Sequence, residues 1–98
     1  MLFFMPLPFN QRLWNSHTLR HRMTNSVRRI VYDLTRDEVK ELLGSYQAAS
    51  PATFAFLIRR DAGISASGHD WFLISFDSVE DDGIVWRTLT RHGTDPGL

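Results

Sequence analysis

Two stretches near the end of this chain are apolar on both of their sides, and that sets how many layers the fold needs. In Trp71 to Phe76, strand alternation sends Trp71 and Leu73 one way and Phe72, Ile74 and Phe76 the other. In the stretch from Ile84 to Thr90 the same alternation sets Ile84 and Trp86 against Val85 and Leu89. An antiparallel sheet with one wet face normally carries polar residues on that face. Here neither side is polar, and each large apolar side chain left in water forgoes about 1.5–3 kcal/mol. One helix covers one face only. The second calls for a segment bearing Phe3, Phe4, Phe9 and Trp14, a second copy of the chain, or a different protein. Strand twist and the aliphatic stems of arginines are the lesser alternative.

The remaining elements follow from local patterns. Val27 to Leu34 alternates and is rich in β-branched residues, which predicts a first strand. Thr35-Arg36-Asp37-Glu38 is a capping box, with the Thr35 hydroxyl and the Glu38 carboxylate placed to satisfy two orphan backbone donors. Val39, Leu42, Leu43 and Tyr46 then recur on one apolar stripe, which predicts a helix from about Arg36 to Ala48. Ser50-Pro51 would suit a second helix start, but Thr53 to Ile58 alternates and is aromatic, which favours a strand. Asp61 to Asp70 reads as a long hairpin loop, and Ser78 to Gly83 as an acidic turn in which Asp82-Gly83 supplies positive φ.

The expected architecture is therefore α+β: a small antiparallel sheet of about four strands, in the order β-α-β-β-β, with one helix on a face. Residues 1–22 read as an irregular basic and aromatic arm, either an upstream-start extension or a segment that packs on the domain or on a partner. Residues 23–92 read as a single domain and 93–98 as a loose tail.

Charge is divided along the chain. Up to Ile30 there are five arginines and no acid, whereas all eleven carboxylates lie from Asp33 onward, so a +5 segment precedes a −5 one in a chain of net charge zero. A body beginning at Met23 would instead carry −3. The absence of cysteine removes disulfides and thiol chemistry and suits a reducing, cytoplasmic setting. Ten arginines against the single Lys40 suggest a bacterial or phage coding sequence. No apolar run is long enough to span a bilayer, and the opening residues lack the basic region and cleavage site of a signal peptide.

Chemical motifs are weak. His17 and His21 have the i, i+4 spacing of helical metal ligands, but Thr18 stands where a metalloprotease needs Glu, and arginines surround them. Asp77 to Gly83 lacks the alternating carboxylates of a calcium loop. Ser67, His69 and Asp70 are too close in sequence to converge as a catalytic triad. No phosphate or dinucleotide loop is present. No enzyme activity, cofactor or metal is therefore expected.

The expected function is a non-enzymatic protein-interaction module: an inhibitor, an immunity or antitoxin-like protein, or a complex subunit. It would bind a protein partner or itself through Trp71, Leu73 and Trp86, with Glu80, Asp81 and Asp82 at the rim. The alternative is nucleic-acid binding through Arg12, Arg20, Arg22, Arg28 and Arg29, interleaved with Trp14 and His17.

Overall fold

A computed structural model describes residues 6–60 and 68–98. It is α+β, with three helices followed by four strands: α1 (Gln11–Asn15), α2 (Arg20–Val31), α3 (Arg36–Leu43), β1 (Ala48–Ser50), β2 (Thr53–Arg60), β3 (His69–Phe76) and β4 (Val85–Gly93). The strands form one antiparallel sheet in the order β1-β2-β3-β4. The expected fold class and strand count hold. Among the described residues, no helix is long and apolar enough to cross a membrane.

Of the strand expected at Val27–Leu34, Val27 to Val31 is the end of α2 and Tyr32 to Leu34 the turn that follows it. Arg20, Met23, Val27 and Val31 are spaced by three, four and four residues and are all buried, so they form one helical stripe. The β-branched residues on that stripe are tolerated because packing outweighs a propensity difference of a few tenths of a kcal/mol. The helix stops where Tyr32 turns extended and Asp33 takes a positive φ of 70°. The fourth strand is supplied by the short β1, which pairs with β2 across a tight turn at Pro51-Ala52.

The capping box forms as expected. Glu38 N–H donates to Thr35 Oγ1 at 3.2 Å, and Thr35 N–H donates to Glu38 Oε1 at 3.0 Å. Helix α3 is shorter than its apolar stripe suggests, because Gly44 adopts φ +71° and its N–H closes on Lys40 O. Tyr46 therefore lies outside the helix and stacks on Phe54 at 4.4 Å.

All three helices lie on one face of the sheet. Phe54, Phe56 and Ile58 of β2 and Phe72, Ile74 and Phe76 of β3 pack against Trp14, Met23, Val27, Val31, Val39 and Leu43. Leu7, Phe9 and Leu13 join this core. Residues 7–22 are thus part of the folded domain, and the boundary drawn at Met23 falls inside α2. Trp14 is at the centre, with Phe9, Phe56 and Phe72 around its ring.

The second apolar face needs no second layer. It holds Ala55, Trp71 and Leu73, with Ala48 and Leu57 packed beside them. Trp71 and Leu73 are only 8% and 6% exposed within a single protomer. Trp71 donates its indole N–H to Gly93 O at 3.2 Å, and His69 meets its ring edge-on. Pro96, Gly97 and Leu98 turn back towards the same face, where Gly97 presses on the Arg91 guanidinium. The two-faced pattern is real, but neighbouring strands and the last residues cover it.

Trp14→Ala is expected to cost about 3–5 kcal/mol, the usual penalty for emptying a buried aromatic site. Equilibrium denaturant unfolding measures it; a loss below 1 kcal/mol would mean that the first helix is not part of the cooperative core.

Candidate functional site

Strand β4 is the most exposed element of the sheet and lies at its edge, with β3 as its single neighbour. A bulge interrupts its pairing: Phe76 faces Val85 and Ser75 faces Arg87, leaving Trp86 as the extra residue. The bulge changes the phase of the strand. Val85 is buried against the helices, whereas Arg87, Leu89 and Arg91 pair with Ser75, Leu73 and Trp71 on the opposite face. Strict alternation, which assigned Val85 and Leu89 to one side, fails here for that reason. Trp86 is 58% exposed and Leu89 41%.

Among the described residues, the outer side of β4 is closed only at its start. Val85 N–H donates to Leu34 O, and Ile84 bridges to Thr35. Beyond that point, among the described residues, the backbone of 86–92 makes no backbone hydrogen bond outside the β3 ladder. Arg87 and Arg91 are exposed and form no ion pair among the described residues.

A second feature lies where α2 meets the ends of β3 and β4, an open cleft of about 310 Å³ lined by His21, Thr24, Asp70, Thr90, Arg91 and His92 among others. Asp70 Oδ1 and His92 Nδ1 are 2.7 Å apart, and Asp70 Oδ2 is 3.5 Å from Arg59 Nε. Burial lowers the His21 pKa below its ordinary value, with the positive charges of Arg59 and Arg22 adding to that and Asp70 opposing it. A carboxylate-held imidazole with a second imidazole nearby can move protons, but Thr24 and Thr90 are the hydroxyls beside it and neither bonds to an imidazole. Of the Ser67-Gly68-His69-Asp70 cluster, Ser67 lies outside the described residues, as do Phe3, Phe4 and the body of the hairpin loop at 61–67.

The residues expected to form one protein interface are not one patch. Trp71 and Leu73 are buried, and Trp86 occupies the bulge. Glu80, Asp81 and Asp82 are exposed beyond the far end of β3, about 17 Å along the strand from Trp71. Their loop is tied to the α3 N-terminus, where Arg36 N–H donates to Gly83 O at 2.9 Å. Gly83 is not in the left-handed region, contrary to the turn expected there; it is needed because a Cβ would fall 2.5 Å from Ser78 O.

The arginine series also divides. Arg20 is 1% exposed, donates to Trp14 O at 2.7 Å, Gln47 Oε1 at 2.9 Å and Leu57 O at 3.0 Å, and lies 4.7 Å from the Trp14 ring. Burial lowers its pKa to about 10, so it stays charged at neutral pH. It is a structural residue, unavailable to a phosphate. Arg28 is half-buried beside the Phe72 ring, whereas Arg12 and Arg29 are exposed and Arg22 is partly so. His17 precedes α2 with φ 62°, so the His17/His21 spacing never becomes one helical face. Among the described residues, no three His, Cys, Asp or Glu side chains gather as a metal-binding group.

No protein-family model matches this chain, and neither a curated protein nor a solved structure matches it significantly.

Two measurements check these assignments. Arg20→Leu should cost at least about 2 kcal/mol of unfolding free energy, since hydrogen bonds to a charged group contribute about 1.5–3 kcal/mol; unchanged stability would return Arg20 to the surface. His21 should titrate by NMR below its ordinary value, and Arg59→Gln should raise the midpoint. Because the folded state disfavours its protonated form, the His21 contribution to stability is complete above about pH 6.5 and is lost as pH falls through the lowered pKa. A His21 midpoint that ignores Arg59→Gln would refute the arrangement.

Proposed function

We propose that this protein is a non-enzymatic interaction module that binds a protein partner by strand addition at the open edge of β4. An inhibitor, an immunity or antitoxin-like component, or a subunit of a larger complex would all use such an edge. The observation that carries the reading is a nine-residue edge strand with one backbone side unpaired from 86 to 92 among the described residues and with exposed Trp86 and Leu89 along it. An added strand satisfies those backbone groups, and alternate side chains supply selectivity. Large apolar side chains beside such an edge serve as anchors.

The opposite edge of the sheet supports the choice of β4, since β1 has three residues and offers little to pair with. Nucleic-acid binding has less support than the sequence suggested, because Arg20 is consumed by the core and Arg28 is half-buried. The lack of cysteine suits a reducing cytoplasm, and the bias to arginine suits a bacterial or phage source.

Peptides selected from a random displayed library on the whole protein test the reading. Amide exchange measured residue by residue should show the outward amides of 86–92 fast in the free protein and protected when a selected peptide is bound. Trp86→Ser with Leu89→Ser should weaken binding tenfold or more while the fold persists. Protection confined to the helices, or full affinity in that double variant, would overturn the proposal.

A further inference from the structure

Resting on strand addition at β4, we infer the chemical class of the added segment: an extended acidic stretch of another protein, with carboxylates four residues apart facing Arg87 and Arg91. A second copy of this chain is not the occupant.

The argument starts from the phase imposed by the bulge. Arg87, Leu89 and Arg91 share one face of β4, opposite Ser75, Leu73 and Trp71 of β3. The other face of the strand carries Thr88, Thr90 and His92, and His92 is already held by Asp70. A strand laid along the free edge therefore meets, on the first face, cation, apolar, cation. Both arginines are exposed and lack an acidic partner among the described residues. Both arginines line a depression of about 230 Å³ on this face together with Leu73, Ser75 and Leu89, and the tail residues Pro96, Gly97 and Leu98 close part of it. Carboxylates two strand positions on either side of an apolar residue would lie beside both guanidiniums, and opposite charges directly across a strand pair are favourable.

The same arginines oppose self-pairing. Two β4 strands aligned antiparallel over all nine residues set Leu89 against its own copy and Arg87 against Arg91, twice. Like charges directly opposite destabilise a strand pair, which is one of the ways natural edges avoid their own copies. Charge thus disfavours a second β4 in full register and favours an acidic strand.

The test uses the whole protein and the capped peptide Thr-Glu-Thr-Val-Thr-Glu-Thr, whose Glu, Val and Glu share one face in either strand direction. Its Gln-for-Glu and Lys-for-Glu counterparts are the controls. By NMR titration the Glu peptide should bind about fivefold tighter than the Gln peptide, perturb the amides of 86–92, and lose its advantage near 1 M salt. Arg87→Glu with Arg91→Glu should reverse the order in favour of the Lys peptide. The single variant Arg87→Glu makes the strand self-complementary and should shift the protein from monomer towards dimer by sedimentation, whereas the unaltered chain stays monomeric. Equal binding of Glu and Gln peptides at β4 would overturn the acidic preference and leave strand addition standing. If none of the peptides perturbs β4, both fall. Dimerisation of the unaltered chain through β4 would replace the acidic strand with a second copy.

Discussion

Among the described residues one fully buried cation, Arg20, ties the helical layer to the sheet across the apolar core. Arg20 opens the buried stripe of α2, bonds to the carbonyl of Trp14 at the end of α1, and crosses to Leu57 O and Gln47 beside β2. A guanidinium taken out of water is costly unless its donors are satisfied. Here the oxygens of Trp14, Gln47 and Leu57 accept from Nε and Nη1, and the guanidinium lies over the Trp14 ring. The geometry is directional in a way that the aromatic contacts around it are not. It joins the first residue of α2 to the end of α1 and to β2.

Much of the architecture was legible where local chemistry decides the outcome. The Thr35/Glu38 box and the alternation in β2 and β3 are short-range signals, and each became the element it announced. Val27 to Leu34 misled because β-branched residues occurred where a helical period of four was also present. Arg20 and Met23 complete that period, but a polar first member disguised it. The stripe would have been found by allowing an arginine to be core. The short strand β1 had no signal beyond Ala and Ser, and it exists because β2 offers it a partner.

The surface was less legible, for a different reason. Which side a β4 residue occupies depends on one unpaired residue, and bulges have no strong sequence mark. Trp86 looked like an anchor on the face of Trp71, yet it is the residue that absorbs the irregularity. Trp71 itself was expected to need a partner, and found one in Gly93 of its own chain. The charge division survives in altered form. Asp37, Glu38 and the loop bearing Glu80, Asp81 and Asp82 meet at one end, while Arg59, Arg91, His92 and His21 gather at the other around Asp70.

The extra residue in β4 also constrains how this strand can change over time. Replacing Trp86 by another side chain keeps the reading frame of the pleat, so the outer surface can drift in composition. Removing it would close the bulge and leave Arg87, Leu89 and Arg91 opposite Ser75, Leu73 and Trp71, whereas losing one residue between Arg87 and Arg91 would turn the rest of the strand inside out. Lineages of this fold should therefore vary freely at that site, even in whether the extra residue is present, while conserving length from Arg87 to Gly93.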